Sequence, residues 1–137
     1  MARGKKILFV CTGNSARSQI AEGFARAWGL QAASAGLEPS RVHPLTIQVM
    51  AERGIDISSH TSKALAEELV TDADVVITLC GDAAERCPVL PPTVRVLNCP
   101  LPDPAKATGS EAEVLEGFRQ VRDRIEALLP QFLQESA

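Results

Sequence analysis

The sequence predicts one α/β domain, spanning residues 1–137, with a four-stranded parallel sheet flanked by helices. Three observations carry this. Short apolar runs of strand length alternate along the chain with segments whose apolar residues recur at helical spacing. One run, Asp74–Cys80, is continuous and β-branched, as suits a parallel strand buried on both faces. Cys11, Cys80 and Asp103, the residues with most chemical potential, each follow a strand end, the side of an open parallel sheet where ligands gather.

The elements follow in order. Lys6–Val10 is short, apolar and bounded by charge, which reads as a buried first strand. Ile20, Phe24 and Trp28 then mark a helix that Gly29 stops. Leu30–Ala35 is a small-residue strand ending at Gly36. His43-Pro44 opens a second helix, with proline at a first-turn position. Its Leu45, Val49 and Met50 share a face, and Gly54 ends it. His43 reads as a surface or capping residue. After a connector, Ile55–His60, Thr61 and Ser62 are expected to cap a short helix carrying Leu65 and Leu69. His60 could reach the loop through its neighbours but reads first as structural. Asp74–Cys80 is the third strand. Gly81–Cys87 is polar and short, a helical turn or two, and Pro88, Pro91 and Pro92 hold the chain extended after it. Val94–Leu97 is the fourth strand, and Cys99–Pro104 is expected to be irregular loop. Ser110 with Glu113 forms a capping box, opening a last helix whose stripe is Val114, Phe118, Val121, Ile125 and Leu128.

Length and composition narrow the function. The 137 residues suffice for one proper core, and an apolar share of 45% argues against disorder. A net charge of −3 with no basic run gives nucleic-acid binding no electrostatic footing. The few apolar residues after Lys6 are too short a run for a signal peptide or a membrane span, so a cytoplasmic location is expected. Thiols stay reduced there, so the four cysteines point to catalysis or redox chemistry rather than structural bridges. Cys11, Cys80, Cys87 and Cys99 contain no Cys-x-x-Cys pair and there are two histidines, which disfavours zinc.

The chemistry centres on Cys11-Thr12-Gly13-Asn14-Ser15-Ala16-Arg17-Ser18, a tight turn between a strand and a helix. Such a turn aims successive backbone N–H groups into one concavity, and the helix N-terminus adds partial positive charge. Thr12, Gly13, Asn14, Ser15, Ala16, Arg17 and Ser18 are therefore the expected oxyanion-binding residues. The same environment favours the thiolate of Cys11, the candidate nucleophile. Arg17 offers a donor fork for two oxygens of one anion. Ser18 can donate to the thiolate or cap the helix. A lone cysteine would read as packing, but cysteine, glycine, arginine and serine fall together here.

Cys-x5-Arg-Ser in an N-terminal strand–loop–helix resembles the low-molecular-weight protein tyrosine phosphatase superfamily. Val-Cys-Thr-Gly-Asn-Ser-x-Arg-Ser-Gln resembles, within it, the thioredoxin-coupled arsenate reductases. Three features discriminate. Thr78-Leu79-Cys80-Gly81-Asp82-x3-Arg86-Cys87-Pro88 is similar to the reductases' redox segment, which phosphatases of this fold lack. Asp103 of Leu101-Pro102-Asp103-Pro104-Ala105 matches the superfamily's general acid. A turn-forming aspartate is the other reading. Phosphatases typically follow that Asp-Pro with tyrosine, whereas this chain has Ala105 and no tyrosine at all. Ala16 stands where the phosphatases usually carry a second cysteine. Cys99 has no role in the motif and reads as a loop thiol.

The resemblance implies a low-molecular-weight tyrosine phosphatase-like fold and reduction of arsenate to arsenite by a three-cysteine relay. Cys11, Cys80, Cys87, Arg17 and Asp103 are its catalytic residues. The implied partners are arsenate, phosphate or sulfate as competing oxyanions, and thioredoxin. The chain is expected to act as a monomer without nucleic acid or membrane. No metal or organic cofactor is implied. Some such reductases bind potassium beside the loop with residues matching Asn14, Glu22, Ser34 and an aspartate. Lys63 replaces that aspartate here, so potassium is not expected. The rival readings are a tyrosine or small-molecule phosphatase and a non-catalytic anion-responsive redox sensor.

Overall fold

The computed structural model describes residues 5–80, 90 and 94–135. It contains the strands β1 (Lys6–Cys11), β2 (Gln31–Gly36), β3 (Val75–Cys80) and β4 (Arg95–Leu101). Its helices are α1 (Arg17–Ala27), α2 (Pro44–Ala51), α3 (Glu67–Asp72) and α4 (Glu111–Glu135), with a 3-10 turn at Pro104–Lys106. The strands form one parallel sheet in the order β2-β1-β3-β4. This is the expected fold class.

Side chains alternate across the sheet, and each face has its own cover. On one face Ile7, Phe9, Val75, Ile77 and Leu79 pack with Ile20 and Phe24 of α1 and Val121, Ile125 and Leu129 of α4. On the other, Leu8, Val10 and Val76 pack with Val70 of α3 and with Leu65 and Leu69. β1 and β3 are central, which is why they are the apolar strands, and both deliver their carboxyl ends to one rim.

The punctuation behaves as its chemistry requires. Gly29 takes φ 85° just after α1, and Gly54 φ 74° after α2. His43 caps α2, its Nδ1 accepting from the Leu45 N–H at 3.1 Å. Ser110 and Glu113 exchange both bonds of a capping box. Trp28 lies one residue past α1, 42% exposed and stacked on Phe24. In α4, Leu129 rather than Leu128 completes the buried stripe.

Two expectations are corrected. The fourth strand does not stop at Leu97 but runs through Cys99-Pro100 to Leu101. β4 is the sheet edge, so a proline need not break a ladder bond there. The register also slips: Thr78 pairs with Asn98 but Cys80 with Leu101, which puts one extra residue into β4. Cys99 is therefore a core side chain, 4% exposed, and burial pushes its thiol pKa up.

The second correction concerns Thr61 and Ser62, which cap no helix. α3 starts later, after Ala66, with no side-chain cap. Residues 61–65 are instead a strap along the sheet's end: Gly36 N donates to Lys63 O, and Leu65 N to Gly36 O. Leu65 lies in the strap, ahead of α3.

Candidate active site

The loop between β1 and α1 is held from outside by its carbonyls. Thr12 O accepts from Glu38 N, Gly13 O from Ser40 N and from Ser62 Oγ, and Ser15 O from His43 N and Thr46 Oγ1. Asn14 O accepts from Gln19 Nε2 and Ala16 O from Ile20 N. A trans peptide points its N–H opposite to its C=O. Carbonyls tied outward thus turn the N–H groups of residues 13–17 toward the inside of the loop, as an anion cradle requires. Asn14 makes the sharpest bend, at φ 48°, a conformation asparagine tolerates better than most residues.

Gly36 makes this curvature possible. A Cβ there would lie 2.7 Å from Thr12 O and 2.8 Å from Asn14 N, inside van der Waals contact with backbone. The end of β2 can sit against the loop only without a side chain. The sequence marked Gly36 as a strand end; its close approach to a segment far away in the chain had no local signal.

Cys11 ends β1 and is 1% exposed, with Sγ 2.9 Å from Ser18 Oγ. Of the two roles open to Ser18, the structure takes the bond to sulfur; Ala16 occupies the cap position without a side-chain bond. Arg17 is 1% exposed and gathers three strand-end groups. Its Nη1 donates to Leu79 O at 3.3 Å and to Leu101 O at 3.0 Å, and its Nη2 lies 3.6 Å from Asp103 Oδ2. One guanidinium therefore links the Cys11 loop to the ends of β3 and β4. The bulge in β4 is what brings Leu101 level with Cys80.

The structure shows the turn-forming reading of Asp103. Its Oδ1 accepts from Ala105 N, making it the cap of the 3-10 turn, while Oδ2 faces Arg17. Cys80 is buried at the end of β3, beside the carbonyl that Arg17 reads. Cys11 and Cys99 are free thiols. Cys87, and with it the Gly81–Cys87 segment and Pro88, Pro91 and Pro92, lies outside the described residues.

Behind the loop is a buried polar group that the motif only brushed. Gln19 and Glu22, both on α1, face His60 on the connector. His60 Nδ1 is 3.0 Å from Gln19 Oε1, and its Nε2 is 3.8 Å from Glu22 Oε2. Glu22 also accepts from Ser34 Oγ at 2.6 Å and pairs with Arg26 at 2.9 Å. Burial, assisted by Arg26 and Lys63, lowers the His60 pKa, against the raising pull of Glu22. His43 is likewise lowered, mainly by burial against Phe118, where its ring packs. The sequence signs of this group were His60, which could reach the loop through its neighbours, and Glu22 and Ser34, which match the potassium-binding positions of some reductases; the part played by Gln19 had no signal beyond its place in the loop motif.

Residues 6–137 match the low molecular weight phosphotyrosine protein phosphatase family. The chain belongs to this family. Among its phosphatase-family relatives is a protein of Bacillus licheniformis named arsenate reductase, 44% identical over 95% of this chain and 96% of that one. A solved structure described as an arsenate reductase in the phosphate binding state superposes with TM-score 0.76. It is 38% identical and covers 97% of this chain and 99% of its own. A thioredoxin-dependent arsenate reductase of Corynebacterium glutamicum superposes with TM-score 0.69 at 28% identity. It matches 99% of this chain, which spans 65% of that longer protein. Among the described residues, no helix of this family member is long and apolar enough to cross a membrane.

Proposed function

We propose that the chain reduces arsenate to arsenite by a thiol relay regenerated by thioredoxin. The observation that carries this is the convergence of Cys11, Ser18, Arg17, Asp103 and the Cys80 strand end on one rim, in a chain 44% identical to named arsenate reductases. The Cys11 thiolate attacks arsenic while the loop N–H groups and Arg17 hold the oxyanion, and Asp103 gives its proton to the departing oxygen, which leaves as water. The Cys80 thiolate then attacks the Cys11 sulfur. The electron pair of the sulfur–arsenic bond stays on arsenic, which leaves as arsenite with a Cys11–Cys80 disulfide behind. Cys87 attacks Cys80 and releases the Cys11 thiolate, and the dithiol of thioredoxin reduces the Cys80–Cys87 disulfide. Such a relay belongs in a reducing compartment, the cytoplasm. The same pocket would hydrolyse a small aryl phosphate slowly, because Ala105 offers no aromatic platform.

Potassium has no part in this proposal. Asn14 Oδ1 already accepts from Lys63 N at 2.8 Å and from Gln19 Nε2 at 3.1 Å, while Glu22 is taken by Ser34 and Arg26. The Lys63 ammonium stands nearby, donating to Thr61 O at 3.1 Å. These contacts support the reading that potassium is not used. Turnover is expected to be equal in potassium and sodium salts at matched ionic strength, and a clear gain with potassium alone would refute that.

The test of the function is consumption of NADPH with arsenate, thioredoxin and thioredoxin reductase. Arsenate-dependent oxidation is expected. Hydrolysis of an aryl phosphate without arsenate turnover would make the chain a phosphatase. Disulfide formation without turnover of either would make it a sensor.

A further inference from the structure

The first turn of α2 is fastened to the β1–α1 loop at one carbonyl. Ser15 O accepts from His43 N at 3.0 Å and from Thr46 Oγ1 at 2.9 Å. The peptide that carries this carbonyl also carries the Ala16 N–H, which therefore points the opposite way, into the loop. The turn itself is closed by a side chain. Pro44 has no N–H to give, and Thr46 N and Ile47 N donate to His43 O. Leu45 N donates to His43 Nδ1 at 3.1 Å. A ring nitrogen that accepts bears no proton, so the imidazole is neutral with its proton on Nε2. Its face lies against Phe118, with ring centroids 4.8 Å apart.

Charge on this ring and the cap exclude each other. A protonated Nδ1 would set one N–H against the N–H of Leu45, and the imidazolium would stand at the positive end of a helix. The charged groups near the ring are Arg41, ahead of α2, and Asp103, on the 3-10 turn; Phe118, the α4 side chain it packs on, is uncharged. Burial and Arg41 outweigh Asp103, so the ring takes up a proton only below its ordinary pKa. We propose that His43 is a positioning residue for the oxyanion cradle: its neutral ring closes the first turn of α2, that turn holds the Ser15 carbonyl, and the Ala16 N–H is aimed at the anion. Protonation opens the turn and loosens the cradle, so oxyanion affinity falls in acid. The inference rests on the loop as the oxyanion site proposed above.

The test is a sulfate titration followed by the NMR shifts of the loop amides, with chloride holding the ionic strength constant, at about pH 7.5 and at about pH 5. Sulfate keeps its charge over this range and takes no part in thiol exchange, so failure here is separate from failure of the reductase reading. His43→Asn offers a cap oxygen that does not titrate, and His43→Leu packs on Phe118 without a cap. At the higher pH the wild type and His43→Asn are expected to bind alike, and His43→Leu about three- to tenfold more weakly, the effect of losing a cap. At the lower pH the wild type should lose that same factor relative to His43→Asn, and its Ala16 amide should shift less on binding. Should His43→Leu not fold, the wild type against His43→Asn decides. Equal pH dependence in those two would overturn the assignment, as would wild-type affinity that rises in acid through simple attraction between imidazolium and anion. A wild type that binds no sulfate at either pH would overturn the cradle as well.

Discussion

Arg17 is the residue on which the site depends most, because it is both a ligand for the anion and a strut. Its Nη1 bonds to Leu79 O and Leu101 O hold two strand ends, so the guanidinium approaches the pocket in one orientation. A lysine keeps the charge but cannot supply a planar fork. Arg17→Lys is expected to lower arsenate turnover about a hundredfold, with a loss of about 1–3 kcal/mol in stability from the unpaired carbonyls. Its far-UV circular dichroism should keep the wild-type form. Unchanged turnover would remove Arg17 from the pocket. The chemical roles of Cys11, Arg17 and Ser18 were legible in the sequence because they follow from one contiguous turn. The carbonyls that Arg17 reads, at Leu79 and Leu101, were not. Backbone groups at a distance carry no residue-type signal, and the partner of Ser18 was open between the thiol and the helix end.

At the scale of elements, the loop's shape depends on β2 and on the strap that follows α2. Gly36→Ala drives a methyl group into the Thr12 carbonyl and the Asn14 amide, both backbone, which cannot step aside as a side chain could. The variant is expected to lose about 1–3 kcal/mol by overpacking. Its Cys11 should also react more slowly with iodoacetamide. A wild-type urea midpoint would show that β2 does not press on the loop. The central strands and the main helices were legible because burial on both faces leaves continuous apolar runs, and burial on one leaves a stripe. The edge was not. Pro100 read as loop, whereas an edge strand accepts proline and the bulge carries β4 on to Leu101. Thr61 and Ser62 misled for a related reason. Their hydrogen-bonding groups serve the β1–α1 loop through Gln19 and Gly13, a tertiary use that local capping rules do not anticipate.

Across the whole molecule, α2 and α4 are clamped at the surface by Glu52, which pairs with Arg119 and Arg122, while Arg53 pairs with Asp123. Bonds from Arg119 and then Arg122 hold the Glu52 pKa down to about 2. A folded-state pKa below the unfolded one contributes stability that is present above the unfolded value and is lost as the pH falls through the folded one. The stability advantage of the wild type over Glu52→Gln is therefore expected at pH 7 and should fade between about pH 4.5 and about pH 2. Urea midpoints at intervals across that range check it, and a difference independent of pH would show that the clamp is not ionic. The proposed relay rests on the order Cys11, Cys80, Cys87. Its most direct measurement is disulfide mapping of Cys87→Ser after arsenate is added without reductant. The relay predicts one turnover and a trapped Cys11–Cys80 disulfide, where the wild type gives Cys80–Cys87. Repeated turnover by that variant with thioredoxin as the sole reductant, and no Cys11–Cys80 bond, would contradict it.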